Sequence, residues 1–161
     1  MYLTAIIDIY SRYIVGWQIS NSLEKGTQTE VLTDATARHG KPEVINSYQG
    51  SQYTCANWLD YLKESSIKVS MDGKGRATNN AFIERFFRTL KWKHIYLYPA
   101  KDEIKLYEGV NRFMNKYNKR RHREINRERP SQTYQQEAQR IDKEQSSKKE
   151  RLHQKQQLRI R

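Results

Sequence analysis

The chain has 161 residues, of which 36% are hydrophobic, and its mean hydropathy is low at -1.02. This length fits one ordinary domain with polar extensions. Lys and Arg number 30 against 18 Asp and Glu, which gives a formal net charge of +12 at pH 7. Such an excess favours a polyanionic partner, nucleic acid first, although a solvated basic surface has the same composition.

Membrane proteins and disulfide-linked proteins are excluded by simple counts. No apolar run approaches the roughly 18 residues of a spanning helix, and the start lacks the basic segment of a signal peptide. We therefore expect a cytoplasmic protein with no membrane partner. Cys55 is the only cysteine, which rules out an internal disulfide, and without a second thiol or a nearby histidine it is not a convincing zinc ligand.

The first half of the chain is predicted to alternate strands and helices. Residues 2–8 and 13–20 are rich in β-branched and aromatic side chains and are joined by a polar link, which is typical of a β-hairpin. Apolar residues at helical spacing predict helices, and short apolar runs between them predict strands. The elements expected after the hairpin are a helix at 27–38, a strand at 43–46, a helix at 55–64 and a strand at 67–71.

The next predicted helix covers residues 79–92 and follows a flexible basic loop at 73–76. It places Phe82, Phe86 and Leu90 on one side. Residues three and four apart lie on the same face of a helix, so a polar stripe is expected on the other side. Its members are Asn80, Glu84, Arg88 and Lys91.

A last regular helix is predicted at 103–117, with Leu106, Val110, Phe113 and Met114 at core spacing. Gln, Lys, Glu and Arg dominate residues 135–161, which indicates a frayed helix or a disordered arm. The domain is therefore expected to span 1–134, followed by a basic tail at 135–161. This order of elements predicts an α/β domain with a mixed sheet and flanking helices.

Four segments carry a resemblance to a known family. They are residues 2–17, residues 46–54 around Tyr-Gln-Gly-Ser-Gln-Tyr, residues 70–91 with Asn-Asn-Ala-Phe-Ile-Glu-Arg-Phe-Phe-Arg-Thr-Leu-Lys, and residues 117–134. In this order they resemble the integrase core of bacterial insertion-sequence transposases, relatives of retroviral integrases with a ribonuclease H-like fold. The resemblance implies a role in DNA transposition and DNA integration, in the bacterial cytoplasm at the nucleoid.

The resemblance also implies a metal site. Enzymes of this family use two divalent ions, Mg²⁺ or Mn²⁺, held by three carboxylates from two strands and a helix. Glu84 matches the third carboxylate, but Tyr48 stands at the position of the second, and the first belongs to a strand that the chain begins too late to include. A phenol has a reference pKa of about 10, is neutral near pH 7 and offers one oxygen. We therefore expect no bound metal pair and no cleavage by this chain alone.

Glu84 also has an ordinary interpretation, an exposed helix glutamate paired with Arg88 for about 0.2 to 0.5 kcal/mol. Three other carboxylates are possible substitutes for the missing ligands. Asp8 matches a residue of the family hairpin that is not a ligand, and Asp60 falls within a helix. Asp72, in the loop before Glu84, is the best placed of the three.

The absent strand would lie centrally in a ribonuclease H-like sheet, between the hairpin and the strand that ends near Asn46. Its absence leaves two strand edges unpaired. Unpaired edges invite association, so this chain is expected to need a partner strand or to fold poorly.

The expected DNA contacts lie in the loop beside the site, on the helix that carries Glu84 and in the basic stretch that begins near residue 117. Contacts of this kind bind phosphates, are salt-sensitive and are largely independent of sequence. The set is Lys74, Arg76, Arg85, Arg88, Lys91, Lys119, Arg120, Arg121, His122 and Arg123.

Two functions from different classes remain open. One is a metal-dependent DNA strand transferase that becomes active when an upstream segment or a partner subunit completes it. The other is a remnant that contacts DNA non-specifically, self-associates or joins intact transposase subunits and blocks their assembly. Tyr48 favours the remnant, and a product with no function is a third possibility.

Overall fold

The computed structural model describes residues 1–22, 26–48, 50–71, 80–122, 125 and 127–157, without the side chains of residues 71 and 149–157. The order of elements agrees with the sequence prediction, and most boundaries shift by one or two residues. A 3₁₀ turn at Ser51–Tyr53 and a π-turn at Lys91–Ile95 join the regular elements. These are β1 (Tyr2–Ile7), β2 (Ile14–Ser20), α1 (Thr27–His39), β3 (Val44–Ser47), α2 (Ala56–Glu64), β4 (Lys68–Met71), α3 (Ala81–Leu90), α4 (Glu103–Lys119) and α5 (Pro130–Gln157).

The strands form two separate pairs. β1 and β2 are antiparallel, with Tyr2 opposite Ser20 and an irregularity between Ile6 and Ile7. β3 and β4 are parallel, with Val44 opposite Lys68. Within the described ranges no strand joins one pair to the other.

Both strand pairs lie in one layer between two sets of helices. Ile6 of β1 and Ile45 of β3 pack against the same buried cluster, which is built from α1, α2 and the residue before β4. The opposite face of β1 packs against α3 through Leu3, Ala5 and Ile7. Since successive strand residues point to opposite faces, both faces of β1 are covered. The members of the shared cluster are Leu32, Trp58, Leu62 and Ile67.

Gly16 lets α1 approach β2 closely. A Cβ at this position would lie 3.2 Å from both Val31 Cγ1 and Ala35 Cβ on α1, closer than ordinary van der Waals contact. Because glycine has no Cβ, α1 packs closer to β2 here than any other residue would allow. Val31 and Ala35 face β2, while Leu32 packs in the cluster shared with β3.

Asp8 holds the hairpin link. Its Oδ2 accepts hydrogen bonds from the backbone N–H of Ser11 at 2.7 Å and from the Ser11 hydroxyl at 2.6 Å. Arg12 then adopts a positive φ of 64°, and its guanidinium lies 3.6 Å from the centre of the Phe82 ring on α3. The carboxylate of Asp8 thus serves a turn that orients the hairpin against α3.

Two helix ends differ from the prediction. α3 is shorter than predicted, because the π-turn at Lys91–Ile95 replaces its last turn. α5 runs without a break through the expected border at residue 134, and its side chains from Ala138 to Lys148 are exposed. The division of the chain into a domain and a tail stays a prediction. None of the helices in the described ranges is both long and apolar enough to cross a bilayer.

Asn118, near the end of α4, covers the outer edge of β2. Its Oδ1 accepts a hydrogen bond from the Ile14 N–H at 2.9 Å, and its Nδ2 donates one to the Ile14 carbonyl at 3.2 Å. The side chain of Ile14 is buried with Val110 and Met114 of α4. The amide therefore takes the place of a neighbouring strand for one residue and attaches α4 to the sheet.

We expect Asn118→Ala to lower the free energy of unfolding by about 1 to 3 kcal/mol, because the Ile14 backbone would lose both partners. Asn118→Asp should cost less, since it keeps an acceptor for the Ile14 N–H. Urea denaturation of the three proteins measures the difference. Identical midpoints for Asn118→Ala and the unmodified chain would show that this amide adds no stability.

Two histidines are expected to make the fold sensitive to acid: His94 is partly buried, and the more exposed His39 packs its ring against Tyr13 and Tyr134. Burial, followed by the nearby Arg38 charge, lowers the pKa of His39 from its ordinary value of 6.5, against an opposing hydrogen bond from the Val15 backbone. Burial and then the Arg112 charge lower the pKa of His94 in the same way. Because the folded pKa lies below the unfolded one, the unfolded chain takes up the proton first. The stabilising contribution is complete above the unfolded pKa and is lost as the pH falls through the folded pKa.

The melting temperature should therefore fall between about pH 7.5 and about pH 5.5, a range in which ordinary carboxylates do not titrate. The double variant His39→Gln, His94→Gln should show a smaller fall over the same range. Calorimetry at several pH values tests this expectation. An equal fall in both proteins would assign the acid sensitivity to other groups.

Candidate functional site

The carboxyl end of β3 meets the first turn of α3. β3 ends at Ser47, so Tyr48 follows the strand directly, and α3 begins at Ala81, which places Glu84 in its first turn. Asn80 is the residue that precedes the helix. Two side-chain hydrogen bonds connect these elements, and they define the candidate site.

The first hydrogen bond joins the two positions that the resemblance singled out. The Tyr48 hydroxyl donates to Oε1 of Glu84 across a separation of 36 residues in the chain. Tyr48 is 44% exposed, and Glu84 is exposed as well. Glu84 is thus exposed on its helix, as the ordinary interpretation has it, but its carboxylate binds Tyr48, and Arg88 makes no ion pair within the described part of the chain.

The second hydrogen bond joins two amides. Asn46 Nδ2 donates to Asn80 Oδ1 at 3.3 Å, and Asn80 is only 5% exposed. The prediction that Asn80 belongs to an exposed polar stripe is wrong for a local reason. The helix begins at Ala81 and not at residue 79 as predicted, so Asn80 precedes the helix and its side chain contacts Asn46 of β3. Glu84, Arg88 and Lys91 remain exposed.

Ser47 is a buried residue of this site that the sequence patterns did not single out. It is 5% exposed, and its hydroxyl makes no hydrogen bond within the described residues. An unsatisfied buried hydroxyl costs about 1 to 3 kcal/mol. The alternation of β3 gives a usable signal, because it places Ser47 on the same face as Ile45, which packs toward α1 and α2.

The donor atoms gathered here do not fit a pair of divalent metal ions. Magnesium prefers several hard oxygen ligands, usually carboxylates. The contacts at this corner offer one carboxylate, a neutral phenol and two neutral amides. No group of three or more His, Cys, Asp or Glu side chains in the described ranges has the arrangement of a metal site.

The two alternative carboxylates that the structure describes, Asp8 and Asp60, belong to no metal-binding group among the described residues. Asp8 is engaged by Ser11 in the hairpin link, and Asp60 is an exposed residue of α2. Asp72 lies outside the described residues.

The predicted DNA contacts that the structure describes fall into two groups. Arg85, Arg88 and Lys91 are exposed on α3 and at the start of the π-turn, downstream of Glu84. Lys119, Arg120 and Arg121 are exposed at the end of α4 and directly after it. The remaining cations, Lys74, Arg76 and Arg123, lie outside the described residues.

His122 differs from the cations. Its ring is partly buried, with Nε2 3.0 Å from the Tyr117 carbonyl oxygen and the two rings 4.5 Å apart in a T-shaped arrangement. Its backbone also pairs with Glu128. The side chain is therefore engaged in holding the segment after α4, and a phosphate contact would have to compete with these interactions.

Two family models, both described as Integrase core domain, match this chain. One matches residues 1–77 and the other residues 65–130. The first covers β1 to β4 with Tyr48, and the second covers α3 with Glu84, α4 and the segment that leads into α5.

Curated bacterial proteins are similar over the same region. The InsK protein of insertion sequence element IS150 from Escherichia coli K12 is 32% identical over 124 residues, 75% of this chain and 44% of that protein. The transposase of insertion sequence element IS904 from Lactococcus lactis is 34% identical over 93 residues, 56% of this chain and 37% of that protein. This chain thus spans less than half the length of these curated relatives.

Solved structures with the same fold are retroviral. The HTLV-2 integrase catalytic core domain in complex with magnesium (trimeric form) has a TM-score of 0.64 at 17% identity, over 82% of this chain and 83% of that chain. The simian T-cell lymphotropic virus intasome with PP2A regulatory subunit B56 gamma has a TM-score of 0.60 at 18% identity, over 72% and 41%. These likenesses confirm the ribonuclease H-like α/β fold.

Proposed function

We propose that this chain, which belongs to the integrase core family of bacterial insertion-sequence transposases, binds DNA through its phosphates and does not cut DNA unaided. The observation that carries this proposal is the hydrogen bond from Tyr48 to Glu84. A phenol stands where the family places its second carboxylate, and it occupies an oxygen of the carboxylate that matches the third.

The chemistry of phosphodiester cleavage explains why this replacement matters. The attacking oxygen must be activated, and the leaving oxygen must be stabilised as charge develops on it. Glu84 carries one negative charge, and the Tyr48 hydroxyl adds a hydrogen-bond donor but no charge. This pair does not fit two divalent ions, and we assign no step of cleavage to it.

The proposal of DNA binding is supported by exposed positive charge that the chain leaves uncompensated. Arg88 and Lys91 take part in no ion pair with any described residue, and neither do Lys119, Arg120 and Arg121. Cations of this kind bind phosphates and release counterions, which gives affinity that falls steeply with salt. Contacts to phosphates carry no sequence information by themselves.

Purified chain should leave supercoiled plasmid intact with Mg²⁺ or Mn²⁺, and Glu84→Gln should behave identically. Gel electrophoresis over several hours measures nicking. Nicking by the unmodified chain that disappears in Glu84→Gln would contradict the proposal.

Variants of Tyr48 allow a test of metal binding that does not depend on activity. Tyr48→Asp places a second carboxylate beside Glu84, so Mn²⁺ should raise its melting temperature more than that of the unmodified chain. Tyr48→Phe is the matched control, because it removes the hydroxyl without adding charge. EDTA should reverse any increase.

Replacing Lys119, Arg120 and Arg121 together by Gln should weaken duplex DNA binding and flatten its salt dependence. For three lost phosphate contacts, the slope of log affinity against log salt should change by about 2 to 3. Fluorescence anisotropy at several salt concentrations gives this slope. The control replaces Lys41, Lys63 and Lys143, which are also exposed, and removes the same total charge. Equal slopes for the two triple variants would remove the segment after α4 from the interface.

A second candidate function is favoured by the two strand pairs. β1 and β3 lie in one helix-covered layer without a described strand between them, so a strand supplied by an upstream segment or by a partner subunit would complete the sheet. Strand transfer that appears only on mixing with a full-length relative, and that Glu84→Gln abolishes, would favour this function. Inhibition of that relative would favour the remnant.

A further inference from the structure

An exposed aromatic pair lies beyond the candidate site on the same helical segment. α3 continues directly into the π-turn at Lys91–Ile95, which carries Trp92 and is followed by Tyr96. Trp92 is 66% exposed and Tyr96 is 60% exposed, and their ring centroids are 5.4 Å apart at an interplanar angle of 86°. Large aromatic side chains normally contribute to a core, so an exposed pair indicates a binding surface.

The charges around this pair indicate what it binds. From residue 85 to residue 101 the chain carries five Lys or Arg and no Asp or Glu. Arg88, Lys91 and Lys93 are exposed, and none of their side chains makes a hydrogen bond or an ion pair with a described residue. This surface is therefore complementary to a polyanion that also presents flat apolar faces.

One cation and two aromatic rings follow one another along the helical segment. Arg88, Trp92 and Tyr96 follow one another at steps of four, so they lie along one face of the helical segment. The Tyr96 N–H donates to the Lys91 carbonyl at 2.9 Å, the wider turn of a π-helix. This extra residue rotates the end of the segment, and such turns are common at functional sites.

We propose that Trp92 and Tyr96, together with Arg88, Lys91 and Lys93, form a binding site for single-stranded nucleic acid. A base stacks on the exposed indole of Trp92, and the neighbouring cations hold the phosphates on either side of it. Sites that combine stacking rings with a basic track bind single strands with little sequence preference. A duplex does not offer this contact, because its base faces are already stacked on one another.

Two other occupants fit these residues less well. A second copy of this chain would bring a net charge of +12 and the same cations to the interface, where like charges repel. Lysine is also depleted from the cores of protein interfaces. An anionic membrane surface would also attract the cations, but it offers no flat ring faces on which Trp92 could stack.

This site goes beyond the phosphate contacts proposed above, because it depends on bases and on Trp92. The full chain is titrated with an oligothymidine of about 12 nucleotides, within the usual site sizes of such proteins. A duplex of the same length and an abasic strand with the same phosphates are compared, and anisotropy and tryptophan emission are recorded. Oligothymidine should bind more tightly than the abasic strand and should quench the emission.

Trp92→Ala should weaken oligothymidine binding about 5- to 150-fold, the equivalent of one lost stacking contact. Trp92→Phe should retain most of the affinity, and duplex binding should change little in either variant. Tyr107→Ala is the matched control, because Tyr107 is another exposed aromatic that packs on Trp17 and lies outside the basic stretch. Circular dichroism verifies that each variant is folded.

The proposal is overturned if Trp92→Ala binds oligothymidine as tightly as the unmodified chain, or if the abasic strand binds equally well. It is also overturned if Trp92→Ala dissociates a dimer in sedimentation, or releases the chain from anionic vesicles, while oligothymidine binding is unchanged. The triple variant of Lys119, Arg120 and Arg121 tests duplex binding separately. Failure of one proposal is therefore distinguishable from failure of the other.

Discussion

Packing against shared helices, and not backbone pairing between β1 and β3, positions the two strand pairs in the part of the chain that the structure describes. Sheets normally gain order from continuous backbone hydrogen bonds, but here none runs from β1 to β3. Ile6 and Ile45 instead share one buried cluster built around Trp58 and Leu32, and α3 covers the opposite face of β1. The candidate site depends on this arrangement, because Tyr48 reaches Glu84 only if β3 is held beside α3.

The polar contacts between the end of β3 and α3 help to stabilise the folded chain. The bonds from Tyr48 to Glu84 and from Asn46 to Asn80 join the pair β3–β4 to a helix that belongs to the other half of the core. Neutral hydrogen bonds contribute about 0.5 to 1.5 kcal/mol each, and bonds to charged groups more. The two positions to which the resemblance assigns carboxylates are thus joined by a hydrogen bond between the end of a strand and a helix.

Much of the fold could be predicted from the sequence because local periodicity encodes it. The spacing of Val110 and Met114 identified the buried face of α4, and the two runs of β-branched and aromatic residues at 2–8 and 13–20, with the polar link between them, identified the hairpin. The π-turn was missed because one extra residue per turn barely alters the periodicity. The choice between a helix and a disordered arm for residues 135–161 stayed open because a Gln- and Lys-rich helix has the same composition as a disordered arm.

The candidate site was predictable in part. The resemblance identified Tyr48 and Glu84, but the bond between them joins residues 36 apart, and no local pattern encodes such a contact. The burial of Asn80 was missed because its spacing places it on the exposed stripe, while its position before α3 turns it toward Asn46. The exposure of Trp92 could not be predicted either, because it depends on which residues pack around it, and the composition of the chain does not contain that information.

The surface position of Tyr48 affects how freely this residue can change by mutation. Its ring is 44% exposed and it is not among the buried core residues, so exchanging it with aspartate alters the chemistry of this corner without opening a cavity. Proteins are lost from cells mainly when mutations unfold them. A substitution here removes the hydrogen bond to Glu84 but leaves the buried core intact, so this side chain can change more freely than one in the core.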